Sequence, residues 1–288
     1  MNPQFPLYIV SKGRHETRIT AKHLDAMRVP FHIIVEEQEY DKYCSVITPS
    51  RVLILDKTYQ DHYETLDDLG YRKSKGPGAA RNFAWEHSIK NGHAWHWVMD
   101  DNIKGFYRLH DNLKIKVGDG TIFRCMEDFC LRYQNVSMAG PNYTFFAPRK
   151  KKLPAFVMNT RIYSCNLIRN DVPFRWRGRY NEDTILSLDM MKAGWCTVQF
   201  NAFLQQKAQT QTVKGGCDAD FYSVEGTFPK SRMQVRTHPD VSKLVYKFGR
   251  WHHHVDYRPF KNTQLKLRSD VILDPAANNY GMSIKKVT

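Results

Sequence analysis

The chain has 288 residues, of which 42% are hydrophobic and 25% are charged; this composition excludes general disorder and provides enough apolar material for a folded core. Its 43 basic and 29 acidic residues give a net charge of +14, which favours an anionic partner. No stretch of about twenty apolar residues occurs, so a membrane-spanning helix is excluded.

The positive charge is unevenly distributed along the chain. Residues 141–180 contain nine basic residues and one acid, and residues 227–288 contain twelve basic residues and four acids, so each stretch carries +8. The rest of the chain sums to −2. The sequence therefore predicts a near-neutral body with two basic segments.

Residues 1–13 contain one short apolar run without a basic leader or a small-residue cleavage site. We therefore predict no secretory signal and a cytoplasmic location. The six cysteines form no C-x-x-C pair, which argues against a zinc ribbon and against a disulfide framework. We expect the thiols to be reduced and mostly buried.

Short apolar runs alternate with helical stretches over the first hundred residues. Apolar periodicity and turn residues predict strands at 7–10, 31–35, 51–56 and 94–99, and helices at 17–27 and 79–90. This alternation indicates an α/β fold, with a mainly parallel sheet and helices on both faces. Ligands of such sheets bind at the carboxyl ends of the strands.

Polar side chains follow three of these strands. Ser11 and Arg14 follow the first strand, Glu36 follows the second, and the triplet 100–102, Asp-Asp-Asn, follows the fourth. Carboxylate and amide oxygens suit Mg²⁺ or Mn²⁺, which in turn hold a diphosphate. The alternative is an ordinary acidic turn, and the position at a strand end favours the metal site.

A glycine turn, Gly76-Pro77-Gly78, opens the predicted helix at 79–90. A helix start of this kind exposes backbone N–H groups, and Arg81 and Asn82 in the first turn could reach an anionic ligand. The segment is neither a Walker loop nor a G-x-G-x-x-G motif. A plain helix start with a solvated Arg81 is the alternative.

A third motif lies in residues 180–194, where apolar spacing predicts a helix that ends at Gly194. Glu182 and Asp183 fall in its first turn or cap, where the helix dipole favours carboxylates. A structural cap is one reading. The other is that Asp183 accepts a proton from an incoming hydroxyl group, and both roles are compatible in one residue.

The order of these motifs resembles the GT-A nucleotide-sugar glycosyltransferases, which have a strand-end metal motif, a later Glu-Asp pair and often a C-terminal histidine. Four segments look more specifically like the phage TET-associated glycosyltransferases, namely residues 75–85, 97–103, 214–217 and 228–233. That family attaches sugars to 5-hydroxymethylpyrimidines in phage DNA. The resemblance extends from Tyr8 to about Phe260.

The resemblance implies a GT-A, Rossmann-like domain over residues 1–226 and a basic segment over 227–288 that completes the active site and contacts DNA. It implies Mn²⁺ or Mg²⁺ bound by Asp100, Asp101, Asn102 and His253. It also implies a nucleoside-diphosphate sugar, most simply a UDP-sugar, bound by Ser11, Arg14, Glu36, Gly78, Arg81, Asn82 and Asp100.

Two features of the implied metal site are open. The third position of the motif is Asn102 instead of the usual aspartate, so metal affinity is expected to be lower or dependence partial. Four histidines, at 238, 252, 253 and 254, are candidates for the C-terminal ligand. If residues 251–257 are extended, alternation separates His253 from His252 and His254. We favour His253, followed by His252.

In the implied mechanism, the metal ion neutralises the diphosphate leaving group and Arg81 assists at the phosphates. Asp183, with Glu182 beside it, deprotonates the hydroxymethyl oxygen as it attacks the anomeric carbon. Inversion is the simplest outcome, with retention left open.

Cations set among aromatic residues suit contacts to phosphates and bases of the DNA acceptor. The residues that we expect to contact DNA are Arg149, Lys150, Lys151, Lys152, Arg175, Trp176, Arg177, Arg179, Arg250 and Trp251. The target base is either flipped out, with Trp176 or Trp251 filling the gap, or approached through the major groove. We expect no membrane and no obligate protein partner.

Three other functions are compatible with parts of the sequence. A glycosyltransferase could extend a sugar already attached to DNA or use another acceptor. A non-enzymatic DNA-binding protein explains the charge but leaves the ordered carboxylates unexplained. A metal-dependent nuclease would use the same aspartates on DNA phosphate.

Overall fold

A computed structural model of the protein describes residues 1–67, 75–208 and 226–272. The strands are β1 Leu7–Val10, β2 His32–Val35, β3 Val52–Ile54, β4 Trp95–Asp100, β5 Ile103–His110, β6 Leu113–Lys116, β7 Val136–Tyr143, β8 Phe156–Met158, β9 Cys165–Arg169, β10 Cys196–Lys207, β11 Ser242–Lys247 and β12 Arg250–Val255. The helices are α1 Ile19–Ala26, α2 Tyr40–Cys44, α3 Lys57–Asp61, α4 Gly78–Lys90, α5 Thr121–Cys130, α6 Glu182–Lys192 and α7 Phe228–Thr237.

Ten strands of the described residues form one sheet in the order β3-β2-β1-β4-β9-β7-β10-β5-β6, with β8 paired to β10. Strands β9, β5 and β8 run opposite to the other seven. The predicted α/β architecture with a large, mostly parallel sheet is therefore confirmed. Strands β11 and β12 form a separate hairpin.

Alternation along each central strand divides the core between the two faces of the sheet. In β1, Leu7 and Ile9 belong to one apolar cluster and Tyr8 and Val10 to the other. Helices α1, α2 and α5 contribute to the first cluster, and α4 and α6 to the second. Helices thus cover both faces, as predicted.

The predicted elements match the observed ones to within one or two residues. The helix predicted at 79–90 begins at Gly78, and the strand predicted at 94–99 extends to Asp100. The five cysteines of the described residues are free, and all but Cys44 are buried, whereas Cys217 lies outside the described residues. No helix of the described part combines the length and apolarity needed to cross a membrane.

The start of α4 packs closely against the chain that precedes it. Gly78 lies so near Tyr63 that an added Cβ would be 1.8 Å from its hydroxyl oxygen. The Tyr63 hydroxyl in turn donates a hydrogen bond to the carbonyl of Gly178 at 2.8 Å. This packing places the first turn of α4 beside the start of α6.

Candidate active site

A cavity of about 1130 Å³ lies at the carboxyl ends of β1, β2, β4 and β10. The starts of α4 and α6 border it, and α7 and β12 contribute residues to its wall. Of the predicted site residues, those that line this cavity are Ser11, Arg14, Glu36, Arg81, Asp100, Asp101, Asn102, Arg179, Glu182, Asp183, Arg250, Trp251 and His253. The strand-end rule thus locates the main site.

Arg81 connects the strand-end motif to the start of α6. Its side chain is only 2% exposed and donates hydrogen bonds to Asp100 at 2.7 Å and to Asp183 at 2.5 Å. Glu182 lies 3.6 Å from the same guanidinium. Burial disfavours the charged guanidinium, but these three carboxylates raise the pKa of Arg81 above its ordinary value. Arg81 is therefore a fixed cation instead of a solvated side chain.

Asp100 binds a second cation, Lys207, at the end of β10. The Lys207 ammonium lies 2.6 Å from the other carboxylate oxygen of Asp100 and 3.0 Å from the Ser164 hydroxyl. Burial opposes ionisation of Asp100, but Lys207 and Arg81 hold its pKa below the usual range. The sequence reasoning missed Lys207, although a lysine that ends a long, mostly buried strand is a usable signal.

Asp101 faces the opposite side of the strand end and binds side chains that follow β1. Arg14 forms an ion pair with one carboxylate oxygen, and the Ser11 hydroxyl donates to the other at 2.6 Å. Burial raises the pKa of Asp101, and Arg14 and Ser11 partly offset that effect. Asn102 is buried, and its Oδ1 has no hydrogen-bond partner within the described residues.

The arrangement of these donors does not fit a divalent cation. Both oxygens of Asp100 and both oxygens of Asp101 already accept hydrogen bonds, three of the four from cationic side chains. Residues 1–67, 75–208 and 226–272 contain no group of three or more His, Cys, Asp or Glu side chains placed to hold a metal ion. The predicted set of Asp100, Asp101, Asn102 and His253 therefore does not form a metal site in this structure.

Glu182 and Asp183 occupy the first turn of α6, after Asn181 in a left-handed conformation. Burial raises the pKa of Glu182 to about 7 even though Arg81 opposes the shift. Burial also raises the pKa of Asp183, again against Arg81. A carboxylate with a raised pKa is a stronger base, so this turn can accept a proton near neutral pH.

Further cations line the cavity near this turn. Arg161, Lys230 and Arg250 line the wall together with His252 and His253. Burial lowers the pKa of Lys230, and Arg161, Lys207 and Arg250 lower it further while Glu182 opposes them. Burial likewise lowers the pKa of His253 to about 4, with Lys230 and Arg161 adding to the effect. Nine basic and six acidic residues line the cavity, which favours an anionic ligand.

Glu36 lies at the end of β2, as predicted, and borders the same cavity. The Lys12 ammonium is 3.3 Å from its carboxylate, and the Gln60 amide donates to it at 3.0 Å. Lys75, also on the cavity wall, donates to the Gln60 carbonyl at 2.6 Å. These polar groups suit a hydroxylated or heterocyclic part of a ligand.

Two residues predicted to contact the donor have structural positions instead. Gly78 does not line the cavity, because its Cα faces Tyr63. Asn82 is also absent from the cavity wall; its side chain exchanges two hydrogen bonds of 2.9 Å with the backbone of Trp176. These interactions hold residues 176–179 against α4.

The basic run at 175–179 forms ion pairs within the protein, and DNA contacts by Arg175 and Arg177 stay a prediction. Arg175 binds Glu86 at 2.7 Å, Arg177 binds Asp189 at 2.8 Å, and Arg179 is 1% exposed and pairs with Asp67. Trp176 is also 1% exposed and packs under Arg81, with the guanidinium 4.5 Å from the ring centroid. Trp176 is therefore too buried to stack on a base, which corrects that prediction.

The remaining predicted DNA contacts are accessible. Residues 149–152 form an exposed basic loop, and Arg250 and Trp251 are exposed on β12 at the cavity wall. Three exposed aromatic residues accompany them, and the sequence reasoning missed two of these, Phe145 and Phe146. Phe145 precedes the loop and is 84% exposed, Phe146 lines the cavity, and Phe248 forms the turn of the hairpin.

The histidine candidates separate clearly. His252 and His253 line the cavity, whereas His254 and His238 do not. His238 is buried, with its ring 3.7 Å from Asp189. The favoured residue, His253, is therefore at the site, but its neighbours are cations.

The cavity, with its buried cation and its carboxylates at the strand ends, is the candidate active site of the protein. The sequence profile of the TET-Associated Glycosyltransferase family matches residues 5–216, and the chain belongs to that family. It is thus a glycosyltransferase. No curated protein matches the chain. The matched region includes Arg81, Asp100, Asp183 and Lys207 but not α7 or the β11–β12 hairpin. The segment 214–217, one of the four that resemble the family, lies outside the residues that the structure describes.

The Arg81→Gln variant tests whether this cation holds the site together. Removing one partner from a buried ion-pair network leaves uncompensated charge, so we expect a loss of about 3–5 kcal/mol of stability at pH 8. The loss shrinks at pH 5, because carboxyl groups with raised pKa values are then protonated and no longer repel. The free energy of unfolding of the wild type and the variant is measured by denaturant unfolding at both pH values. Arg268→Gln, which removes an exposed pair with Asp270, is the control and should leave the unfolding midpoint nearly unchanged at both pH values.

Proposed function

We propose that the protein transfers a sugar from a nucleoside-diphosphate sugar, most simply a UDP-sugar, to the hydroxymethyl group of a 5-hydroxymethylpyrimidine, most simply 5-hydroxymethylcytosine, in phage DNA. The site of action is the cytoplasm of the infected bacterium. The observation that carries this proposal is one cavity in which Arg81 joins the strand-end Asp100 to Asp183 at the start of α6. Family membership supports the reaction class.

The size and charge of the cavity suit the donor. Its volume of about 1130 Å³ exceeds the roughly 300–1,000 Å³ typical of small-molecule sites, which leaves room for a sugar nucleotide and an acceptor group. The excess of basic over acidic wall residues suits a diphosphate. Ser11 and Glu36, at the ends of β1 and β2, are placed to contact the nucleoside.

The chemical step requires a base near the anomeric carbon. The acceptor oxygen forms a bond to that carbon while the bond from carbon to the diphosphate oxygen breaks, and its electron pair leaves with the diphosphate. The hydroxyl proton passes to Asp183, which Arg81 fixes at the cavity. A single displacement of this kind inverts the anomeric configuration. Glu182 lies next to this base in the first turn of α6.

Two exposed elements are suited to hold the DNA. The loop 149–152 supplies four cations beside Phe145 and Phe146, and the β11–β12 hairpin supplies Arg250, Trp251 and Phe248. Cations contact phosphates and exposed aromatic rings stack on bases. Both elements include residues at or next to the cavity wall, so DNA held by them would present a base to Asp183.

The transfer reaction is tested by incubating the protein with hydroxymethylated DNA and a panel of nucleotide sugars, followed by mass analysis of the nucleosides. We expect a hexose mass on the hydroxymethylpyrimidine for the wild type and a loss of about 10²–10⁴-fold in rate for Asp183→Asn, with nucleotide binding retained. Strand cleavage without sugar addition would instead support a nuclease.

The Glu182→Gln variant separates the two carboxylates. It removes a like charge beside Asp183, so the base should remain ionised to lower pH and the acidic limb of the rate profile should move to lower pH. Asp25→Asn, which alters an exposed carboxylate on α1, is the matched control.

For the Asp183→Asn variant, a transfer rate equal to that of the wild type would contradict the assignment of Asp183 as the base.

The DNA contacts are tested by the double variant Lys150→Gln and Lys151→Gln. Losing two phosphate contacts should weaken DNA binding and reduce the slope of log affinity against log salt by about two. The control is Arg28→Gln with Lys90→Gln, two exposed cations at the far ends of α1 and α4. Equal effects of the two pairs on affinity and slope would place the loop outside the DNA interface.

A further inference from the structure

Four cations of the cavity wall lie near the start of α6, where the Asn181 amide donates a hydrogen bond to the Lys230 carbonyl at 2.8 Å. Arg161, Lys207, Lys230 and Arg250 come from four separate parts of the chain and line the same cavity. They lie close enough that the positive charges of the other three lower the pKa of Lys230. Like charges brought together in a folded protein repel one another unless an anion lies between them. Asp100 and Glu182 offset part of this repulsion, and a negatively charged ligand would offset more of it.

Lys207 is the member of this wall nearest to the strand-end carboxylates. Its ammonium has three N–H donors, of which one binds Asp100 at 2.6 Å and one binds Ser164 at 3.0 Å. The Ser164 hydroxyl is held by Tyr143 at 2.6 Å, so the ammonium is fixed from both sides. The remaining donor can bind a ligand oxygen in the cavity that Lys207 lines.

Asp100 cannot serve this cavity as a free metal ligand while these contacts persist. Arg81 binds one of its oxygens at 2.7 Å and Lys207 binds the other at 2.6 Å, both in the range of charge-assisted hydrogen bonds. The positive charge that a divalent cation would bring is already present on two side chains. Asp100 therefore positions cations that belong to the protein.

We propose that Lys207 and Lys230 bind the diphosphate of the sugar donor and that transfer proceeds without a divalent metal ion. This inference rests on the proposed glycosyltransferase reaction. As the bond between the anomeric carbon and the phosphate oxygen breaks, a negative charge develops on the leaving diphosphate, and the Lys207 ammonium faces it. The acceptor proton goes to Asp183, so Lys207 transfers no proton and acts only as a fixed positive charge.

The first arm of the test measures the metal requirement. Protein stripped of metal and assayed with excess EDTA should transfer sugar within twofold of the rate measured with added Mn²⁺. A loss of more than tenfold in EDTA that Mn²⁺ restores would overturn the proposal and leave the glycosyltransferase function intact. Absence of transfer under both conditions would instead count against the proposed function.

The second arm measures binding, which does not depend on turnover. Calorimetric titration of UDP into the wild type in EDTA should show binding, and Lys207→Met and Lys230→Met should each weaken it by at least tenfold. Lys207→Met should also lower the transfer rate by about 10²–10³-fold, and Lys207→Arg should recover part of it. Binding of UDP that requires Mn²⁺, or that both methionine variants retain, would contradict the proposal.

Lys90→Met is the matched control, since Lys90 is an exposed lysine at the far end of α4. It should leave UDP binding and transfer unchanged. Thermal unfolding of each variant checks that the fold persists, and if Lys207→Met fails to fold, Lys230→Met and the EDTA titration of the wild type still decide the question.

Discussion

The ion pairs of Arg81 hold the site in one geometry. Arg81 is buried in the first turn of α4, and its guanidinium joins Asp100 at the end of β4 to Asp183 at the start of α6. Without this cation, three carboxylates would share a buried region and repel. The position of Arg81 depends on close packing beneath it, where Gly78 admits Tyr63 and the ring of Trp176 underlies the guanidinium.

The charge asymmetry of the sequence does not correspond to two separate regions in space. The near-neutral body supplies the strand-end carboxylates, but Arg161 and Arg250 from the two basic stretches line the same cavity as Asp100. The resulting wall has more cations than anions, which suits a diphosphate. We propose that part of the excess charge binds the donor, and that the exposed cations of the loop 149–152 and of the hairpin contact DNA. Transfer is thus proposed at a junction between two anionic substrates.

Local patterns predicted the strands and the position of the cavity, because alternation and strand-end location are properties of short segments. They did not predict the ion-pair partners. Lys207 is 107 residues from Asp100 in the chain, and only strand order brings them together. The same limit applies at 175–179, where Glu86 and Asp189 form ion pairs with arginines whose partners the sequence does not show. The ion-pair partners of a basic side chain are set by the tertiary structure, so a run of basic residues alone does not identify a DNA-binding surface.

We propose that side chains of this protein, and not a metal ion, bind the donor diphosphate in the cavity organised by Arg81. A crystal structure of the protein grown with UDP and Mn²⁺, with data collected at the manganese absorption edge, tests it most directly. We expect diphosphate oxygens within hydrogen-bonding distance of the Lys207 ammonium and no anomalous peak between UDP and Asp100. An anomalous peak coordinated by Asp100 and both phosphates, with Lys207 displaced, would contradict the account.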